Sequence, residues 1–154
     1  INELVQRTNQ LNFSGNRYQI NEIEDLINDP IYDTFCLECE DKYGKYGIVG
    51  IAIVNNSTVR LIDFMLSCRV QSKRVEHAFI SFLLNYYKSQ NRHIFSAIYN
   101  VTDRNIKAGE VFKDLNFKIA EDIEGRKIFD FNLTNAIPND GIIRLLRDGK
   151  EWTL

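Results

Sequence analysis

The chain has 154 residues, of which 44% are apolar and 26% charged, and its formal net charge is −2. This length suits one domain with a core of its own. The balanced charge excludes a general attraction to nucleic acid or to an anionic membrane, and no apolar run reaches the length of a membrane span.

The first half of the chain predicts two helices followed by three strands. A first helix is expected over residues 1–13, before a turn. Asn21 is expected to cap a second helix, because Glu24 stands three residues later as in a capping box and Pro30 ends the pattern. Alternating residues between turn-rich connections then predict three strands, at residues 33–41, 46–54 and 58–67.

The second half returns to helices that alternate with strands. Helical periodicity predicts a long helix whose apolar stripe is wide enough to pack on a sheet. The elements expected here are helix 72–90, strand 93–99, helix 103–115, strands 117–120 and 126–132, and a short helix at 142–147. Three antiparallel strands followed by a helical crossover indicate a mixed α/β (α+β) sheet with helices on both faces.

The most specific motif joins a helix to a strand between Asn105 and Phe117. Its apolar residues fall at i, i+3, i+4 and i+7 on one helical face: Ala108, Val111, Phe112 and Leu115. The pattern N-x-x-A-x-x-x-[YF]-x-x-L-[GN]-F resembles the late helix-strand unit of the GNAT, or acyl-CoA N-acyltransferase, fold. That resemblance implies a sheet that splays between strands 58–67 and 93–99 to admit a pantetheine arm. In active members the aromatic residue is often a tyrosine, whose hydroxyl protonates the thiolate of coenzyme A. Phe112 has no hydroxyl and therefore no such proton.

Three further runs narrow the resemblance. They are QRTNQLNF at residues 6–13, DKYGKYGIVG at 41–50 and LSCRV at 66–70. Together they resemble the C-terminal domain of FkbH-like proteins, subfamily IIIC of the HAD superfamily, over residues 3–133. Because the chain opens at Ile1 without a methionine, we expect it to be a piece of a longer protein that begins with a HAD domain.

The resemblance also implies a division of the chain and a function. Residues 1–134 would form the acyltransferase-like domain, with 1–13 as the lead-in from the HAD domain, and 135–154 a C-terminal tail. Characterised family members are similar to glyceryl transferases, which load a three-carbon unit from a phosphoglycerate onto an acyl carrier protein. The implied role is to assist acyl transfer to a carrier-protein thiol in polyketide or methoxymalonyl-type biosynthesis.

The implied partners are an acyl carrier protein and the HAD domain, without nucleic acid or membrane. No intrinsic cofactor is expected; coenzyme A or a carrier protein's 4′-phosphopantetheine would be the substrate group. Two alternatives stay open: a non-catalytic module that docks the carrier protein, and an acetyl-CoA-dependent N-acetyltransferase.

A basic run from Arg69 to Arg74 stands where GNAT enzymes carry [QR]-x-x-G-x-[GA]. There, main-chain N–H groups at a helix start hold the pyrophosphate of coenzyme A, and glycines permit its close approach. Ser72 and Arg74 replace both glycines here, while Arg69, Lys73 and Arg74 add positive charge. Either a phosphate binds at this helix start, or these residues are its solvated surface.

The cleft implied by the resemblance supplies the remaining candidates. Main-chain N–H groups near Leu66, Ser67 and Cys68 would orient a thioester carbonyl. Side chains that could bind pantetheine amides are Tyr99, Asn100 and Asn105. A buried tyrosine that finds a hydrogen-bond partner is nevertheless the ordinary case.

Cys68 is the candidate nucleophile, because it ends the third strand near the expected acyl site and Arg69 beside it would favour a thiolate. His77 stands more than a turn inside the predicted helix, so it is not expected to face Cys68. A lone cysteine without a positioned base favours the alternative, a small buried residue at a strand end.

Cys36 and Cys39 form a C-x-x-C, but both lie in a predicted strand. Residues three apart on a strand point to opposite faces, so we expect no metal site. Three cysteines in all give no disulfide framework and suit a reducing cytoplasm. Asn9 and Asn12 either line the ligand cleft or the HAD interface, or they bond to nearby main chain at a helix end.

Overall fold

The computed structural model describes residues 12–103, 105–147 and 149–151. Its helices and strands are α1 (Ile20–Asn28), β1 (Tyr32–Asp41), β2 (Gly44–Asn55), β3 (Arg60–Leu66), α2 (Val75–Ser89), β4 (Ile94–Asn100), α3 (Glu110–Asp114), β5 (Lys118–Ile123), β6 (Arg126–Asn132), β7 (Leu146–Arg147) and β8 (Lys150–Glu151). A 3₁₀ turn, Cys68–Val70, follows β3. None of the described helices is long and apolar enough to cross a membrane.

The described strands β1 to β6 form one mixed sheet in the order β1-β2-β3-β4-β6-β5. β3 and β4 run parallel, because α2 connects them as a crossover, and the other neighbours are antiparallel. This confirms the predicted order of three antiparallel strands, a helical crossover and a parallel strand.

The middle of the sheet splays, as the resemblance implies. β3 and β4 pair only at Arg60 with Ser96 and at Leu61 with Ala97, whereas β4 pairs with β6 along its whole length. Beyond these two pairs the carboxyl-terminal halves of β3 and β4 separate and leave a gap between them.

Helices cover both faces of the sheet. The larger apolar cluster lies between one face and the helices α2 and α3, and includes Phe79, Leu83 and Phe112. A smaller cluster on the other face joins Ile23 of α1 to Ile51 and Met65. α2 buries most of its length because its apolar stripe is wide.

Two predicted helix starts were wrong. α1 begins before Asn21, because the Glu22 carboxylate accepts the main-chain N–H of Gln19 at 2.7 Å and caps the helix two residues early. α2 begins at Val75 instead of residue 72, because Ser72 and Arg74 both have left-handed main chain with φ of 62°.

The helix predicted over 103–115 shrinks to α3, because Asn105 competes with the helical bonding pattern. Its side-chain oxygen accepts the N–H of Thr102 at 2.7 Å, and the N–H of Ala108 bonds only three residues back, to the Asn105 carbonyl. The short helix predicted at 142–147 was also wrong, since β7 there pairs with β8.

The helix predicted over 1–13 falls mostly on residues 1–11, which lie outside the described residues. Asn12 and Phe13 are not helical. Asn12 forms an antiparallel bridge with Met65 of β3, so the chain enters the described fold as an extended segment.

Candidate functional site

The gap between β3 and β4 contains main chain of the protein itself, the segment Asn12–Ser14. The N–H of Phe13 donates to the Phe64 carbonyl of β3 at 3.0 Å, and the Phe13 carbonyl accepts the N–H of Asn100 of β4 at 2.9 Å. This segment therefore acts as a short extra strand where the two long strands separate.

Two asparagines that the sequence assigned to a pantetheine arm bind this segment instead. The side-chain amide of Asn105 donates to the carbonyls of Asn12 at 2.7 Å and Asn100 at 2.9 Å. The side-chain amide of Asn100 donates to the Ser14 carbonyl at 2.9 Å. Together with the Phe13 carbonyl, each of the three consecutive carbonyls of the segment thus accepts a hydrogen bond from a different donor group.

Aromatic rings close the gap behind the segment. Phe13 is fully buried, stacked on Phe64 with ring centroids 5.0 Å apart and edge-on to Phe112 at 5.6 Å. The Tyr99 hydroxyl donates to the carbonyls of Asn105 at 2.7 Å or Ile106 at 3.1 Å, and burial raises the pKa of Tyr99. The phenol proton is therefore committed within the fold.

A buried carboxylate, missed by the sequence reasoning, holds the segment from the side. Asp63 of β3 is only 1% exposed. Its Oδ2 accepts the hydroxyls of Ser14 and, at 2.8 Å, Tyr18, while its Oδ1 accepts the N–H of Phe64 at 2.8 Å. The available signal was a single acid in the apolar run LIDFML.

The side chain of Asn12 makes the local bonds that were one of its two predicted alternatives. Its oxygen accepts the N–H of Gly15 at 2.8 Å, and its amide donates to the Asn16 carbonyl at 2.6 Å. Its main chain, however, lies in the gap. Asn9 lies outside the described residues.

The loop before α2 keeps a glycine-like shape without glycine. Ser72 and Arg74, which replace the two glycines of the motif, both have φ of 62°. Left-handed residues of this kind turn neighbouring N–H groups toward one concave surface. The first three N–H groups of a helix lack acceptors within it, and no side-chain cap supplies one to α2 among the described residues.

The cations of this loop are tied to the rest of the fold. The guanidinium of Arg69 donates to the carbonyls of Tyr46 at 2.9 Å and Ile48 at 3.2 Å. Lys73 contacts Asp41 at 3.0 Å. The ion-pair partner of Arg74 is Asp140, in the segment that follows β6.

Asp41, Tyr46 and Lys73 form a compact group beside this loop. The hydroxyl of Tyr46 donates to Asp41 at 2.7 Å and lies 3.1 Å from the Lys73 ammonium. Hydrogen bonds from Tyr46 and Lys73 lower the pKa of Asp41 to about 2, and the same contacts raise the pKa of Lys73. This group fixes the β1–β2 hairpin against the start of α2.

Cys68 is exposed, so the alternative of a buried residue at a strand end was wrong. Arg69 points its guanidinium back to β2, and His77 instead contacts Asp114 at 2.9 Å. Leu66 and Ser67 are buried, and the N–H of Ser67 donates to the Val49 carbonyl at 2.7 Å. Cys68 therefore lies just before the loop that leads to α2, and neither Arg69 nor His77 is placed to act as a base for its thiol.

A cavity of about 250 Å³ lies between α2, α3 and the chain after β6. Its lining includes His77, Ser81, Asp114 and Pro138. The Nε2 atom of His77 lies 2.9 Å from Asp114, whereas its Nδ1 lies 3.3 Å from Glu76 and makes no hydrogen bond within the described residues. No cluster of three or more possible metal ligands occurs in the described part of the chain.

The sequence matches no protein-family model and no curated protein. Among solved structures, the ribosomal-protein-S18-alanine N-acetyltransferase from Escherichia coli is similar, with 13% identity, a TM-score of 0.63, and coverage of 91% of this chain and 88% of that chain. Mutant forms of the spermidine/spermine N-acetyltransferase SpeG from Vibrio cholerae have 17% identity and a TM-score of 0.58, covering 86% of each chain. A Desulfovibrio desulfuricans protein assigned to the GNAT family has 11% identity and a TM-score of 0.58, covering 72% of this chain and 75% of that chain.

These similarities, at low identity, show the fold. The chain has the GNAT, or acyl-CoA N-acyltransferase, fold that the motif between Asn105 and Phe117 predicts. The splayed strands β3 and β4 and the loop before α2 are therefore the regions in which a function of this fold is sought.

Proposed function

We propose that this protein is an acyltransferase-type domain that binds the phosphopantetheine arm of an acyl carrier protein and assists acyl, glyceryl-type, transfer to its thiol. The observation that carries the proposal is the loop before α2. Ser72 and Arg74 lack the conformational freedom of glycine, yet the main chain of both is left-handed. Such a conformation costs a residue with a side chain about 1–2 kcal/mol, and at these two positions it gives the loop the shape that the glycines of the motif would give it.

The chemistry of this loop suits a phosphate group. Unpartnered N–H groups at a helix start bind anions through direct donation and through the helix dipole. Lys73 and Arg74 add positive charge nearby, although each is paired with an aspartate. The proposal assigns the phosphate of the arm to the N–H groups and gives these cations a supporting role.

The thioester end of the arm fits less well. In the described structure the gap between β3 and β4 is filled by Asn12–Ser14, and the N–H of Phe13 takes the Phe64 carbonyl. The proposal therefore gives coenzyme A or phosphopantetheine donors for its phosphate at the start of α2, whereas the occupied gap leaves no space for its amide chain. That chain could enter between the strands only after the segment Asn12–Ser14 moves away.

The same filled gap supports a second candidate, a non-catalytic module that docks the carrier protein while a HAD domain does the chemistry. Phe112 has no proton to give, and the Tyr99 hydroxyl is committed to main-chain carbonyls. A third candidate, an acetyl-CoA-dependent N-acetyltransferase, is favoured by the activities named for the similar structures, but Phe112 and the glycine-free loop oppose it.

Calorimetric titration of the protein with coenzyme A, a holo carrier protein and its apo form separates the three. Binding of the holo form alone supports the proposal. Equal binding of both carrier forms supports docking, and micromolar binding of acetyl-CoA with turnover on amines supports the third candidate. The HAD domain implied by the resemblance would be sought in the complete coding sequence, as a D-x-D motif upstream of Ile1.

A charge placed in the loop tests the assigned phosphate site. Ser72→Asp should weaken holo-carrier binding about fivefold, because like charges near a surface repel by on the order of 1 kcal/mol. Ser57→Asp, at another exposed turn position, is the matched control. Equal effects of the two variants would contradict a phosphate at the start of α2.

The exposed thiol is tested separately, in the full-length protein. If Cys68 carries the acyl group, Cys68→Ser abolishes loading of the carrier protein while binding of the holo form persists. Unchanged loading removes Cys68 as a nucleophile and leaves the arm-binding proposal intact.

A further inference from the structure

The segment Asn12–Ser14 occupies the gap as an extended peptide, recognised by its main chain. Its three carbonyls accept hydrogen bonds from the side chain of Asn105, the main chain of Asn100 and the side chain of Asn100, at 2.7, 2.9 and 2.9 Å. On its other edge, Phe13 donates to Phe64. Main-chain recognition of this kind depends on amide groups and an extended shape, and the buried ring of Phe13 adds side-chain packing to it.

Asn105 is buried and Asn100 is half-buried, and the side-chain amide group of each donates to the segment. Asn105 is 1% exposed, and both protons of its amide group go to the carbonyls of Asn12 and Asn100. Without the segment, one of these protons and the N–H of Asn100 would lose their partners, a costly state for buried donors. The gap is therefore a slot that requires an occupant with amide carbonyls.

A side-chain contact fastens the segment in this slot. The hydroxyl of Ser14 donates to the buried carboxylate of Asp63, which also accepts the hydroxyl of Tyr18 at 2.8 Å. A buried acceptor that loses a hydroxyl partner is left in a costly state. Asp63 thus holds the segment at the end next to Gly15.

The main chain turns at Gly15, directly after this contact. Gly15 has φ of 76°, a conformation that glycine adopts at little cost. Residues 15–19 form no helix or strand, and Gly15, Asn16 and Arg17 are exposed. Tyr18 is bonded to Asp63 and Gln19 caps α1, so a bend that moves Asn12–Ser14 would fall at Gly15, Asn16 and Arg17.

We propose that Asn12–Ser14 is a displaceable internal occupant of a slot that binds extended amide chains, and that it must leave before a pantetheine arm enters. The inference rests on the proposed function for the identity of the incoming chain. A pantetheine arm is itself an extended chain with two amide groups, so it offers two carbonyls to the three donors of Asn100 and Asn105. Segment and arm would compete, and the closed state would keep the site inactive until the arm arrives.

Amide exchange measured by NMR tests the latch without any ligand. Ser14→Ala removes the donor to Asp63 and should accelerate exchange of the Phe13 and Asn100 amides by about tenfold or more. The matched control is Ser81→Ala. Ser81 is another buried serine, which lies in α2 and donates its hydroxyl to the Pro138 carbonyl at 2.7 Å. Core amides of β2 should be unchanged in both variants.

Phosphopantetheine as the titrant tests the competition. Saturation should remove the protection of the Phe13 amide in the wild-type protein. Affinity should rise in Ser14→Ala by the same factor as the exchange rate, because both report the fraction of molecules with an open slot. Saturation with the Phe13 amide still protected would overturn the proposal.

Failure of the proposed function gives a different result from failure of this inference. If phosphopantetheine does not bind at all, the function is wrong, and the exchange experiment still decides on the latch. If the Phe13 and Asn100 amides exchange only together with the β2 core in every variant, the segment is a fixed part of the core. That result overturns the inference even where phosphopantetheine binds.

Discussion

Phe112 stacks on Phe129 with ring centroids 4.8 Å apart and an angle of 22° between the ring planes. The pair joins α3 to β6, and Phe112 also meets Phe13 of the segment in the gap. The residue that stands in place of a catalytic tyrosine is therefore a central packing residue, fully buried. Its ring helps to hold the occupant of the slot.

Phe112→Tyr should destabilise the protein by about 1–3 kcal/mol, because it buries a hydroxyl among aromatic rings. Urea unfolding measures the loss, and Phe35→Tyr, at a half-buried ring where a hydroxyl can reach water, is the control. The variant should gain no turnover of acetyl-CoA with amines. A stable variant with new turnover would mean that this position is open to solvent and to substrate.

The buried carboxylate of Asp63 predicts a specific pH dependence. Burial raises its pKa above the ordinary value of 3.8, and hydrogen bonds from Ser14 and Tyr18 partly offset this. For an acid with a raised pKa in the folded state, the stabilisation is complete below the unfolded value and is lost as the pH rises through the folded value.

Asp63→Asn is the comparison that isolates this effect. The free energy of unfolding of the wild type should fall relative to the variant as the pH rises from about 4, by about 1.4 kcal/mol for each unit of pKa difference. The opposite dependence of Asp41, whose pKa is lowered to about 2, is common to both proteins and cancels. Parallel curves from about pH 4 to about pH 8 would show that Asp63 titrates normally.

Ser72→Gly should stabilise the protein by about 0.5–1 kcal/mol, because glycine removes the strain of a left-handed residue at some cost in chain entropy. Gln71→Gly is the control, since Gln71 has φ of −57° and glycine there should destabilise by about 0.5–1 kcal/mol. Urea unfolding should show a higher free energy of unfolding for Ser72→Gly and a lower one for Gln71→Gly than for the wild type. A shift in the same direction for both would contradict the strained loop.

Gly109→Ala should cost about 1–3 kcal/mol through overpacking. The backbone at Gly109 has φ of −68° and accepts alanine, but its Cβ would lie 2.8 Å from Cζ of Tyr99. The same substitution in a Tyr99→Leu background should cost less, which thermal unfolding of the four proteins measures. Equal costs in both backgrounds would mean that the ring is not the obstacle.

The sequence predicted most of the sheet because alternation and turn residues are local signals. β6 has the predicted bounds, and the ends of β1 and β4 lie within one residue of prediction. Helix starts were less predictable, since the left-handed conformations of Ser72 and Arg74 leave no mark in a sequence that lacks glycine there. Asn105 shortened α3 through a side-chain bond that helical periodicity does not include.

The occupant of the gap could not have been predicted from local patterns. The bond between Asn105 and Asn12 links positions 93 residues apart, and helical periodicity before Ser14 pointed to a different structure. Tyr99 and Asn100 were expected beside the gap and Asn105 among the residues that bind pantetheine, yet the pattern that identified them does not say which amide groups they bind. Only the spatial arrangement assigns Asp63 to the same region.

The two residue pairs between β3 and β4 also bear on how the molecule folds. Bonds across the middle of the sheet join positions 86 and 93 residues apart, and closing such long loops delays a contact during folding. On one side of the gap, β1, β2 and β3 are joined by hairpins. On the other side, β5 and β6 form a hairpin and β6 pairs with β4, so each half can assemble from contacts closer in sequence. We expect the middle of the sheet to close last, and hydrogen exchange during refolding should show protection of Asn100 after that of β2 and β6. The site proposed for function would then be the last part of the fold to form and the first to open.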